Sequence, residues 1–337
     1  MKRWHVLLGL AISAVAAAYF VSLLNFQTFW SQLKQVNWWF VLWGSLAYAF
    51  TVPLKAWRWQ VLLAPVAKAP LGPLASSFLI GSAATALLPM RLGELVRTYA
   101  GGRLTGLPYG CILASLLVER VLDGLTLLGI LFVTIMALDP SARAGGFTVP
   151  FLKSAGYGLL ALYLGVLALA VALHVWGEKV VSPLERLFGR ISRNLGHLAG
   201  LGLRSFAQGL GMARSPGGWL LAILISLAVW GCTLFSYWLF LPACGLPPRL
   251  LLASMGLSAA ALAAAVPAGP GFVGTVQVAM YWGLLLVGAP ADPALLYGLL
   301  LFVALNALML TWGLWEMARK GFSLAGLKKE SQRAAGM

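Results

Sequence analysis

Six apolar runs dominate this chain, each approaching or exceeding the roughly 20 residues a helix needs to cross a bilayer. They fall at about 5–24, 38–54, 108–138, 151–176, 218–241 and 294–316. In hydrocarbon a segment must satisfy its own backbone N–H and C=O groups, so such runs fold as helices. Composition agrees: of 337 residues, 61% are hydrophobic and 10% charged, whereas soluble domains carry about 25% charged residues. So apolar a chain cannot cover a water-facing surface with polar groups. The fold class implied is an all-α polytopic membrane protein, and a soluble enzyme is excluded. Met1-Lys2-Arg3 and the apolar run to about Leu24 resemble the start of a secretory signal. That run is long for a signal, however, and Asn25-Phe26-Gln27-Thr28-Phe29 lacks a small-x-small cleavage pattern, so it is read as a retained first helix.

Two further apolar stretches, 71–89 and 251–289, are interrupted. The first contains Gly81-Ser82 and ends at Pro89; the second is broken by Pro267-Ala268-Gly269-Pro270-Gly271, with Gly274 close behind. Proline and glycine end helices, and unpaired backbone at membrane depth survives only inside protein or along a cavity. If both stretches enter and leave on one side, nineteen of the 24 Lys and Arg residues fall inside, with Lys55, Arg58, Lys68, Arg91, Arg97 and Arg103 among them. Lys34, Arg143, Lys153 and Arg249 then lie outside, and Arg120 alone is embedded. A full crossing by 71–89 would turn the basic 177–217 loop outward, against the positive-inside bias. The expected architecture is about six spanning helices plus two re-entrant broken helical hairpins, with both termini cytoplasmic. The opposed hairpins suggest inverted repeats of the kind that frame a mid-membrane site in transporters, although no internal sequence repeat is visible. Residues 1–320 form one transmembrane domain and 321–337 a basic cytoplasmic tail.

The net charge of +15 would suggest nucleic acid in a soluble protein. Here the basic residues collect between apolar runs, and no basic face alternates with stacking aromatics, so no nucleic-acid partner is expected. Within 177–217, Leu184, Phe188, Ile191, Leu195 and Leu198 recur at three- and four-residue steps, with Arg186, Arg190 and Arg193 on another face. That pattern reads as a basic amphipathic helix on the cytoplasmic leaflet. Trp38, Trp39, Trp57 and Trp59 fit an interfacial aromatic belt. Cys111, Cys232 and Cys244 form no CxxC pattern, and His5, His174 and His197 are dispersed. No metal site, disulfide framework or cofactor is expected.

The chemistry concentrates in three short stretches. In Leu116–Gly124, Glu119, Arg120 and Asp123 place three ionisable residues within five positions of an otherwise apolar helix. Embedded charges are functional candidates by default. Glu119 and Asp123 share a face and Arg120 can pair with Asp123, which leaves Glu119 needing another partner. Leu88–Arg97 can supply it, since Arg91, Glu94 and Arg97 repeat at three-residue steps after Pro89. A helix start beside arginines favours anions, and guanidinium groups bind phosphate bidentately. Equally, these charges could only pair with one another and fix helix packing. The third stretch, Val266–Gln277, has Pro267, Gly269, Gly271 and Gly274 for close backbone approach and Gln277 as an uncharged donor and acceptor. It reads either as a site wall or as a turn between two spans.

In this order the stretches Leu88–Arg97, Glu119–Asp123 and Pro267–Gly274 resemble the lysylphosphatidylglycerol synthase transmembrane-region family, the flippase-like domain, over nearly the whole chain. The resemblance implies an inner-membrane protein of lipid translocation. In aminoacyl-lipid synthases this region is coupled to a cytosolic catalytic domain, and the tail from Ala318 to Met337 is too short for one, so no lysine transfer is expected. Relatives often carry an acidic residue where this chain has Gln277. The resulting expectation is a non-enzymatic flippase for an anionic phospholipid or lipid-linked headgroup. Its substrate-binding residues would be Arg91, Glu94, Arg97, Glu119, Arg120, Asp123, Pro267, Gly269, Gly271, Gly274 and Gln277. The alternative is a non-transporting accessory subunit of a lipid-modifying or envelope-biosynthesis enzyme, which would then be its partner.

Overall fold

The computed structural model describes residues 3–65, 67–88, 92–138, 143–144, 147–212, 216–265 and 268–323. Among the described residues the regular structure is helical apart from one antiparallel ladder of two-residue strands, β1 (Arg143–Ala144) and β2 (Phe147–Thr148). The first helices are α1 (Arg3–Ser22), α2 (Phe26–Lys34), α3 (Trp38–Ala49), α4 (Thr51–Leu63), α5 (Leu71–Leu87) and α6 (Gly93–Thr105). Next come α7 (Tyr109–Met136), α8 (Val149–Trp176), α9 (Glu178–Ile191) and α10 (Arg193–Met212). The last are α11 (Pro216–Ala243), α12 (Leu250–Ala265), α13 (Thr275–Leu286) and α14 (Ala291–Arg319).

Three described segments are long and apolar enough to span a membrane unaided: Gly156–Leu173, Gly217–Ala243 and Ala291–Arg319. A fourth results if α1 and α2, bent by 83° at their junction, make one span. The bend follows from Asn25, whose side chain accepts the amides of Gln27 and Thr28 and caps α2. Asn37 caps α3 in the same way through the Trp39 amide. The run expected at 38–54 continues further than its hydropathy indicates. Pro53 lacks the N–H that would bond the Ala49 carbonyl, which divides the rod, yet Phe50 keeps right-handed helical dihedrals and α4 carries on to Leu63. Lys55 and Arg58, tallied above as loop residues, therefore sit inside a helix.

The first interrupted stretch is not broken at Gly81-Ser82, since α5 runs through both residues from Leu71 to Leu87 and pairs with α6 beyond the stretch, whereas the second divides into α12 and α13. Helices α5 and α6 cross at Gly81 and Gly93, where a Cβ on Gly93 would run into Thr85 and the Gly81 carbonyl. In the second, α12 and α13 pack side by side, joined through a 3-10 turn at Pro270–Phe272. The two turning ends meet: a Cβ at Gly271 would stand 3.3 Å from the Ala86 carbonyl at the end of α5. The main apolar core lies among α3 and α11–α14, with Phe240, Leu284, Ala294 and Tyr297 fully buried.

The basic segment 178–212 is a hairpin of two helices rather than one helix. Gly196 of α10 abuts Gly189 of α9, and Arg204 of α10 pairs with Glu178 and Glu185 at 2.7 Å each. Ile191 and Leu198 remain exposed at its turn; the Leu195 side chain lies outside the described residues.

Candidate lipid-binding site

Midway along α7, Glu119 and Asp123 point into the bundle, and both are buried. Four residues apart, they lie one turn above the other on a single face. Both reach the same guanidinium: Arg58 Nη1 donates to Asp123 Oδ1 at 2.7 Å, and Arg58 Nη2 lies 3.4 Å from Glu119 Oε1. Arg58 is fully enclosed, and it also donates to Ser226 Oγ of α11 at 2.9 Å. Trp230, one turn further along α11, donates its indole N–H to Asp123 Oδ1 at 3.1 Å. Three helices, α4, α7 and α11, are thus joined at two carboxylates.

The partner that Glu119 requires is Arg97 of α6, which holds it in a two-pronged bond of 2.7 and 2.8 Å. Arg97 is itself buried, its guanidinium 4.3 Å from the Trp59 ring and 5.1 Å from the Phe78 ring. Trp59 donates to Ser115 Oγ at 2.8 Å and has no exposed surface. It is therefore a support for Arg97 rather than part of an interfacial belt, whereas Trp38, Trp39 and Trp57 are exposed. A carboxylate in such an interior is tolerable because it is paired and hydrogen-bonded on both oxygens.

Arg120, expected to be the one embedded cation, is instead the most open of the three arginines, with 45% of its side chain exposed. It bridges Glu94 at 3.5 Å, Glu119 at 3.1 Å and Asp123 at 3.5 Å. Arg58 and Arg97 occupy the interior in its place, and for both the loop assignment is corrected. Hydropathy hid Arg58 because the run stops at Leu54, yet Trp57, Trp59 and Val61-Leu62-Leu63 resume it with helical spacing.

The structure thus brings Glu94, Arg97, Glu119, Arg120 and Asp123 together, and adds Arg58, Ser226 and Trp230. Arg91 and Pro267 lie outside the described residues. Gly269, Gly274 and Gln277 gather elsewhere. The Gly269 amide donates to Ser13 Oγ of α1 at 2.8 Å, and the Gly274 amide donates to Gln277 Oε1 at 2.8 Å. Gly274 has φ +85°, and a Cβ there would meet the Ala17 backbone, so this position needs glycine to seat α1. Gln277 is committed to the start of α13. Gly271 and Phe272 line a small cavity of about 220 Å³, with Tyr48, Trp230 and Asn306 among the other walls.

Beside the charges runs a much larger apolar groove of about 940 Å³ between α7, α8, α11 and α12. Thr126, Gly129, Leu167, Ile223 and Ser254 are among its lining residues. Val133, Val171 and Leu227 on its walls are half-exposed, so it opens sideways out of the bundle. Val118, Leu122 and Ser226 form its end nearest the ion cluster, and Ser226 is the residue that Arg58 grips. Among the described residues no group of three or more His, Cys, Asp or Glu side chains could hold a metal ion.

Residues 6–313 match the family described as the lysylphosphatidylglycerol synthase TM region. The chain belongs to that family. The chain is also 25% identical, over 98% of its own length, to a protein of Haloferax volcanii named glycosyltransferase AglD. It spans 57% of that relative. No solved structure matches the chain. A lysylphosphatidylglycerol synthase TM region and a set of long apolar helices together make this a membrane protein related to lipid chemistry.

Proposed function

We propose that the chain is a lipid translocase that binds an anionic phospholipid or lipid-linked headgroup at the ion cluster and its hydrocarbon tails in the groove. The observation that carries this reading is the junction at Ser226, where an apolar groove open to the side ends on buried arginines. At about 940 Å³ the groove stands at the upper end of the roughly 300–1,000 Å³ of ligand sites. A lipid is the ligand class that matches both ends. Arg120 and Glu94, the exposed members of the cluster, are the groups a headgroup meets first. Arg58 and Arg97 stabilise the carboxylates behind them.

The meeting of the two hairpin ends at Gly271 and Ala86 supports a pair of re-entrant hairpins entering from opposite faces, with about six spans around them. In this arrangement the chain is a multi-pass protein of a bacterial-type inner membrane with both termini cytoplasmic. It moves lipid without catalysing a reaction and needs no cofactor.

The test is reconstitution into liposomes containing fluorescent phosphatidylglycerol, with a membrane-impermeant quencher reporting which leaflet holds the label. Faster loss of the protected inner-leaflet signal than in protein-free vesicles is the expected result. A rate equal to that of empty vesicles, with folded protein present, would refute translocation. A second reading is that the chain is a membrane accessory module of a lipid-modifying enzyme; it draws support from the relative named as a glycosyltransferase, of which this chain spans 57%. Under that reading the vesicle assay is silent while the chain co-purifies with an enzyme.

A further inference from the structure

The charge balance of the cluster points to a second anion contact that the sequence did not suggest. Arg58, Arg97 and Arg120 are matched by Glu94, Glu119 and Asp123 through direct ion pairs. Lys55 lies one turn before Arg58 on α4 and is a fourth cation, within electrostatic reach of Asp123 and Glu119. No carboxylate of the described residues lies within 4.0 Å of its ammonium group. Instead its Nζ stands 4.8 Å from the Phe78 ring centroid and 5.9 Å from that of Tyr48. Aromatic faces attract a cation but do not neutralise it. A half-buried cation in hydrocarbon is otherwise paired. Among the described residues the cluster therefore carries one positive charge in excess.

The surroundings indicate where the missing anion would come from. Tyr48 forms one wall of the small cavity and Trp230 another, and Trp230 also holds Asp123. Helices α11 and α12 line both this cavity and the large groove. The cavity thus shares α11 and α12 with the groove and lies beside the hairpin end at Gly271–Phe272. About 220 Å³ is below the range of sites that hold whole ligands, and suits a headgroup only. Thr233 and Asn306 give its walls polar groups.

We propose that Lys55 is the contact for the single negative charge of a lipid phosphodiester, held at a second headgroup station beside the Tyr48–Trp230 cavity. This rests on the translocase reading and places the station at a cavity that shares α11 and α12 with the groove. The matching ligand class is a monoanionic diester: one charge completes the balance. A zwitterionic lipid brings a second cation, and a phosphomonoester brings up to two negative charges.

The test is titration of the delipidated, detergent-solubilised full chain with phosphatidylglycerol or phosphatidylcholine, read by native mass spectrometry. Wild type is expected to prefer phosphatidylglycerol by about tenfold. Lys55→Gln should remove one phosphatidylglycerol-selective site while the one at the groove remains, and Lys55→Arg should keep both, with Lys179→Gln on the exposed face of α9 unchanged. A folded Lys55→Gln protein that keeps both selective sites overturns the proposal, as does a wild type that binds the two lipids equally. If tail-less glycerophosphoglycerol binds as tightly as phosphatidylglycerol, the site belongs to a soluble diester and the lipid assignment falls. Absence of any lipid binding would refute the translocase reading itself. Should Lys55→Gln fail to fold, reductive methylation of wild type decides: Lys55 should be protected in phosphatidylglycerol micelles and labelled in phosphatidylcholine. Equal labelling in both overturns the proposal.

Discussion

Replacing Glu119 with Gln keeps its shape but removes the charge that Arg97 and Arg58 face. Glu119 accepts two bonds from Arg97 at 2.7 and 2.8 Å and one from Arg120 at 3.1 Å, and lies 3.4 Å from Arg58. Its side chain has no exposed surface, so water cannot take over. Removing one member of a buried ion pair costs about 3–5 kcal/mol, mostly because the remaining charge is left uncompensated. At about 2–4 °C per kcal/mol for a large domain, Tm should fall by roughly 6–20 °C. The native cysteines supply the assay. Cys244 is buried and Cys111 and Cys232 are half-buried, so a thiol-reactive fluorophore reports unfolding in detergent. Adding Arg97→Gln to Glu119→Gln should recover part of the loss, because the double variant no longer buries that unmatched guanidinium. A non-additive cycle is therefore expected. If Glu119→Gln melts within about 1 °C of wild type, or the two changes simply add, the ion cluster is not the structural centre described here.

Other expectations follow from close approaches and open space. Gly93→Ala should reduce the yield of folded, monodisperse protein, since the new methyl meets Thr85 and the Gly81 carbonyl; Gly110→Ala, with no neighbour within 4 Å, should be tolerated. Size-exclusion profiles compare the two. Gly274→Ala combines an unfavourable φ of +85° with a collision against α1, and should lower Tm by several degrees on the same thiol assay. Gly129 lines the groove and has open space where a Cβ would go. Gly129→Trp should therefore reduce the lipid that co-purifies, measured by mass spectrometry, while leaving Tm within about 2 °C.

Much of the fold could be read from the sequence because a bilayer leaves few options. Apolar runs become helices, and Pro267–Gly274 breaks one, as it does in the structure between α12 and α13. The need of Glu119 for a partner in Leu88–Arg97 was also legible, since a lone carboxylate in an apolar helix must be matched. Arg58 was not. Lys55 and Arg58 itself end the hydropathy signal at Leu54, and only the tertiary packing of α4 against α5, α7 and α11 brings Arg58 to Asp123. Trp59 was misread for the same reason: a belt tryptophan and a buried one have the same spacing in sequence. The roles of Gly269, Gly274 and Gln277 depend on α1, more than 250 residues away for the Ser13–Gly269 bond. Local pattern carries no trace of such a contact.

The central claim is that lipid tails lie in the α7–α8–α11–α12 groove with the headgroup at the ion cluster. The most direct test is photocrosslinking with phosphatidylglycerol that carries a diazirine near the middle of one tail, followed by peptide mapping. Labels should concentrate on 126–134 and 219–227 and be displaced by excess unlabelled phosphatidylglycerol, but not by phosphatidylcholine. Labels spread evenly over the outward faces of α3, α8 and α14, and displaced equally by either lipid, would contradict the account.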